Sequence, residues 1–123
     1  MSVRHLITCE HGGNRVPAPY RAYFAGHETL LKTHRGYDPG ALALARRLSD
    51  TLGAPLFYAT VSRLVIDLNR SIGHPRLYSE ATRPAPDAVR HDILERHYLP
   101  YRHRVETAVA EAVAEGEKVI HLS

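Results

Sequence analysis

The sequence predicts an α/β fold with a parallel crossover, and three stretches of the chain carry that expectation. Val3, Leu6, Ile7 and Cys9 make a short β-prone run that Gly12-Gly13 stops abruptly. A helical stretch with Leu42, Ala45, Leu48 and Leu52 on one stripe separates it from a second β-prone run, Leu56 to Val61, rich in aromatic and β-branched residues. A long helical stretch then leads into a third strand, Lys118 to Ser123. Strands alternating with helices pair in parallel, and the loops at their carboxyl ends converge on one crevice. Glu10 and His11 stand at such an end.

The connecting elements follow from local chemistry. Val16-Pro17-Ala18-Pro19 forbids a regular helix or central strand and predicts an extended connector. Tyr20 to Ala25 reads as a short helical piece ended by Gly26, and Glu28 to Thr33 as another turn or two. The helix that follows has Pro39 in its first turn, with Asp38 expected as its N-cap and Gly53 as its stop. Leu64 to Leu68 is a third short apolar segment, expected as a strand. Asn69 to Pro86 reads as an irregular loop, longer than a compact domain keeps unless it lines a site. From Pro86 to Gly116 the pattern is helical, with a break at Pro100 and a repeating face of Val89, Ile93, Leu99, Val105, Ala108, Val109 and Ala112.

Composition narrows the function classes. With 123 residues, 44% hydrophobic and 24% charged, residues 1–123 are expected to form a single α/β domain. The net charge is +3, and sixteen basic residues are dispersed among thirteen acidic ones, which argues against a dedicated nucleic-acid surface and leaves room for a small anionic substrate. Tyr98 and Tyr101, with the basic residues near them, are expected as a solvated helix face. A single cysteine excludes an intramolecular disulfide, and the first residues lack a signal-peptide pattern, so a cytoplasmic location is expected. No apolar stretch approaches the roughly 20 residues of a membrane span.

Three groups carry chemistry. Glu10-His11 offers an imidazole and a carboxylate, both ordinary zinc ligands, at a glycine turn that can bring them to one side; a surface pair flanking the turn is an equal reading of these residues alone. A loop histidine is expected to contribute little to the core. Asp38 reads as a helix cap and also as an ionised carboxylate able to hold a cation, with Gly40 admitting another group close to the backbone. His34 can join it. Arg63, Asp67, Asn69 and Arg70 surround an apolar run; Asp67 is expected partly buried against one arginine, leaving the other to fork onto a ligand carboxylate. Of nine histidines, His11, His34, His74 and His121 stand at element ends or turns, whereas His5, His27, His91, His97 and His103 are expected on the surface.

The string Cys9-Glu10-His11-Gly12-Gly13-Asn14 with Val16-Pro17, then His34 to Ala41, then Arg63 to Arg70, resembles the N-formylglutamate amidohydrolase family in residues and in block order. The resemblance implies a three-layer α/β fold, with a mainly parallel or mixed central sheet flanked by helices and phosphorylase/hydrolase-like, expected to be the N-terminal part of a longer domain and incomplete at its C-terminus. It implies a zinc-dependent amidohydrolase that cleaves a formyl or other acyl amide from an acidic amino acid such as N-formylglutamate, within histidine degradation. Carried over residue by residue, His11 and Asp38 are metal ligands and Glu10 is the catalytic carboxylate, lying behind the metal or serving as an alternative ligand. Arg63, Asn69 and Arg70 bind the substrate carboxylate and Asp67 supports them. A further histidine and a late acid/base carboxylate are expected beyond Ser123. Two alternatives stand beside this one: a deacylase or carboxypeptidase-like enzyme for another N-acyl amino acid, and an inactive small-molecule or metal-binding domain.

Overall fold

The structure, a computed structural model, describes residues 2–123. Strand β1 (Val3–Cys9) is followed by a 3₁₀ helix over Ala18–Phe24, a short α1 (Glu28–Leu31), helix α2 (Ala41–Leu52) and strand β2 (Leu56–Tyr58). A long loop leads to α3 (Asp87–Ile93), a π-helical turn (Leu94–Tyr98), α4 (Leu99–Ala114) and β3 (Lys118–Leu122). The three strands form a wholly parallel sheet in the order β2-β1-β3, with Ile7 opposite Leu56 on one side and opposite Leu122 on the other.

The central place of β1 explains its composition. Leu6, Ile7, Thr8 and Cys9 are consecutive and all buried, as a strand covered on both faces requires. Ile7 and Cys9 pack on Ala45 and its neighbours in α2, while the opposite face meets α4, whose Tyr101 reaches Glu10. Helix, sheet, helix are therefore the three layers. The α2 stripe holds for Leu42, Ala45 and Leu48, but Leu52 is exposed just before Gly53 (φ 60°) ends the helix.

Four expectations change. The second strand stops at Tyr58, and beyond it Val61 only bridges Arg15. Leu64 to Leu68 is buried throughout but is no strand, because Asp67 N–H donates to Leu77 O (2.9 Å) while the Ser79 and Thr82 hydroxyls donate to the carbonyls of Leu64 and Val65 (2.6 and 3.0 Å). Side chains of the long loop satisfy backbone groups that a sheet ladder would otherwise serve. Asp38 is not an N-cap: Gly40 takes that position in a left-handed conformation (φ 82°), Asp38 gives α2 only its backbone carbonyl, and its carboxylate turns elsewhere. Gly40 serves that conformation rather than a close approach, since nothing lies within 4 Å of a Cβ built there.

The fourth change lies near Pro100. With no N–H and a ring that meets the carbonyl one turn back, the proline breaks the i→i−4 ladder, and the π-helical turn before it absorbs one extra residue. The inward face then shifts. Tyr98 and Tyr101 become buried core residues rather than a solvated face, and Leu99, expected inside, is 41% exposed. His97 is likewise drawn in, edge-on to the Tyr20 ring at 5.6 Å between centroids.

Candidate active site

The loop after β1 runs hard against the backbone beyond β2. A Cβ on Gly12 would lie 2.9 Å from Ala59 O and one on Gly13 2.8 Å from Thr60 O, so only glycine permits this approach, which Gly12 N–H seals by donating to Ala59 O (3.1 Å). The turn sends Glu10 and His11 to different neighbours. A second loop is tied to the first by Asp38 N–H donating to His11 O (2.9 Å). It is held from behind at Gly36, whose carbonyl accepts from the Ser62 hydroxyl (2.8 Å) and Arg63 N–H (3.3 Å).

These loops place the buried His11 ring between two carboxylates. Its Nε2 lies 2.8 Å from Asp67 Oδ1 and its Nδ1 3.3 Å from Asp38 Oδ2. Asp67 is the enclosed partner, with 7% of its side chain exposed against 50% for Asp38. Asp67 also accepts from Asn69 N–H (3.0 Å) and Arg63 (3.3 Å), with Arg70 Nε 3.8 Å away. Burial by itself pushes its pKa up, but hydrogen bonds from His11 and Asn69 and the nearby positive charge win, so the carboxyl is held below its ordinary value. Asp67 was expected to serve the arginines alone; it also anchors the imidazole. Arg63 spans both carboxylates, its second contact being Asp38 at 3.7 Å.

Glu10 stands on the α4 side of the strand end. It is buried, accepting from the Tyr101 hydroxyl and from the Ser123 hydroxyl (2.7 Å), and makes no hydrogen bond to His11 or Asp38 among the described residues. Even so, Glu10, His11, Asp38 and Asn69 line one cavity of about 230 Å3. Tyr101 is the member of this site that sequence reasoning missed. Burial, followed by its bond to Glu10, pushes its pKa far up, so the phenol remains a donor. Cys9 also lines the cavity, but burial and the carboxylates of Glu10 and Asp38 push its thiol pKa up, away from a nucleophilic thiolate.

The other turn histidines go elsewhere. His34 is exposed in a separate cleft with Arg63 and Arg70, His74 accepts from Arg76 N–H within its own turn, and His121 pairs with Thr8 across the sheet at 2.8 Å. Among the described residues, no three or more His, Cys, Asp or Glu side chains converge as a metal site, so His11 and Asp38 are a pair. No helix among those residues is long and apolar enough to cross a membrane.

Comparison with known proteins identifies the family and a shared fold. The family model for N-formylglutamate amidohydrolase matches residues 3–123. The crystal structure of a gene product from Agrobacterium tumefaciens superposes with a TM-score of 0.83 at 34% identity, over 95% of this chain and 49% of that one. The chain thus spans about half the length of that relative. A search of curated proteins finds no match.

Proposed function

Because the chain belongs to the N-formylglutamate amidohydrolase family, we propose that it supplies the ligand-bearing half of a zinc-dependent hydrolase that cleaves N-formylglutamate or a close N-acyl acidic amino acid. The observation that carries this reading is the pairing of His11 Nδ1 with Asp38 Oδ2. A neutral imidazole has one N–H, and Asp67, buried and closer, is the better acceptor for it at Nε2. The Nδ1 lone pair then faces a carboxylate, a contact that either a metal cation between the two acceptors or a second proton on the imidazole satisfies. The spacing suits the metal, because two donors each about 2.0–2.1 Å from a tetrahedral zinc lie about 3.3 Å apart. Asp67 behind the imidazole is the carboxylate that orients such a ligand.

When bound there, zinc would polarise the amide carbonyl and bring the pKa of a bound water towards about 7. The chain's own residues do the rest. Glu10, in the same cavity, accepts and returns the proton once its Ser123 donor is exchanged for water. Arg70, supported by Arg63 and Asn69, forks onto the substrate carboxylate and fixes the amide relative to His11. A catalytic zinc takes about three protein ligands, and the third is assigned to the part of the relative's length that this chain does not span.

Formate release from N-formylglutamate by the full-length protein tests the proposal. We expect turnover that a chelator abolishes and zinc restores, and that His11→Ala and Asp38→Ala eliminate. Zinc binding at His11 without turnover of any N-acyl amino acid would replace the hydrolase by a metal-binding domain.

A further inference from the structure

Asp67 turns Oδ1 to His11 and Oδ2 to Arg63 and Arg70, and beyond these two arginines lies a second cleft of about 500 Å3. Arg35, Arg76 and Arg83 complete its basic lining, against only Asp67 and Glu80 as carboxylates. Arg35 is matched by Glu80 at 2.8 Å and Arg63 by Asp67 at 3.3 Å. The other three arginines are not balanced in this way. Arg70 is 3.8 Å from Asp67, with its buried Nε lacking any hydrogen-bond partner, and no carboxylate lies within ion-pair distance of Arg76 or Arg83 among the described residues. Arg83 is nonetheless held in place, donating to the carbonyls of Pro75 (3.4 Å) and Tyr78 (3.3 Å).

Elsewhere in the chain Arg4, Arg90, Arg96 and Arg102 each face an acidic neighbour, while Arg15, Arg21, Arg46, Arg47 and Arg104 have none among the described residues, so what distinguishes this cleft is that three unbalanced arginines share it. Arg76 and Arg83 are exposed and in part screened by solvent, but guanidinium groups gathered in one concavity still raise its positive potential in favour of an anion, and their forks suit a carboxylate. We propose that this cleft is an anion subsite next to the Arg63–Arg70 clamp, in which Arg76 and Arg83 receive a second, distal carboxylate of the substrate and so select dicarboxylic over monocarboxylic N-acyl amino acids. The inference rests on the hydrolase reading for the word substrate, whereas the subsite itself stands on the arginine arrangement. A free inorganic anion is the other source of the same chemistry.

Calorimetric titration of the full-length protein with glutarate, with its mono-amide glutaramate and with inorganic phosphate separates these cases. We expect glutarate to bind more tightly than glutaramate. Arg76→Gln, which removes a side chain with no hydrogen bond of its own among the described residues, and Arg83→Gln should each weaken glutarate by roughly tenfold, the scale of one hydrogen bond to a charged group. Arg47→Gln on α2 should leave glutarate binding unchanged. Equal affinity for glutarate and glutaramate, or glutarate binding indifferent to Arg76 and Arg83, would overturn the proposal, as would phosphate binding in preference to glutarate. Because the readout is binding, turnover of N-formylglutamate with glutarate indifferent to both arginines defeats the subsite alone. Arginine-dependent glutarate binding without turnover defeats the hydrolase alone.

Discussion

Asp38 and Asp67 grip one imidazole from opposite sides, yet their surroundings separate them. Asp67 is enclosed and receives hydrogen bonds from His11, Asn69 and Arg63, whereas Asp38 is half exposed and touches His11 and, at longer range, Arg63. Burial and saturation with donors make one carboxylate an anchor. Exposure leaves the other with lone pairs to offer a ligand.

The largest effect expected from this contrast is on stability. Asp67→Ala strips a buried carboxylate from His11, Asn69 N–H and the neighbouring arginines, and should cost about 3–5 kcal/mol, as does breaking a buried ion pair by removing one partner. Urea denaturation measures this; a loss within about 0.5 kcal/mol, typical of surface substitutions, would erase the distinction. Asp38→Ala should show the reverse, with stability changed by no more than about 0.5 kcal/mol while zinc affinity falls by more than the roughly 10–100-fold typical of an outer partner. Competition with a chelator reads the affinity. Because His11 is itself buried against Asp67, His11→Ala should lower stability as well as activity, contrary to what a loop histidine suggests. Asp38 is therefore the cleaner variant.

The smallest expected effect is on the acid limb of stability. A carboxyl whose folded pKa lies below its free value of 3.8 contributes stability that is present above that value and lost as pH falls through the depressed one. Stability should therefore decline from about pH 4 downward, and Asp67→Asn should flatten part of that slope relative to the unsubstituted protein. Denaturation midpoints between pH 2 and pH 6 measure it. An acid limb unchanged by Asp67→Asn would show that the enclosure of this carboxylate does not govern acid stability.

Legibility in the sequence followed the range of the interactions involved. The β1 run, the α2 stripe, Gly53 and the loop from Asn69 to Pro86 were readable because periodicity, glycine and proline act within a few residues. Leu64 to Leu68 was readable as buried but not as non-strand, since the hydroxyls that satisfy its carbonyls come from Ser79 and Thr82. Tyr98 and Tyr101 were misjudged because the π-helical turn before Pro100 locally turns them inward and Leu99 outward, whereas Val105 and Ala112 farther along keep to the inward face.

The same division runs through the site. Three blocks of sequence were enough to name the family, and the alternation of strand and helix to name the α/β class, because motifs, periodicity and glycine turns are local features. Partnership was not local. That His11 leans on Asp67 rather than Glu10, and that Glu10 is occupied by Tyr101 91 residues away, both depend on where separate segments cross. Those crossings are set by packing of the whole core, and a pair of residues far apart in sequence acquires its hydrogen bond only once that core has brought the loops together.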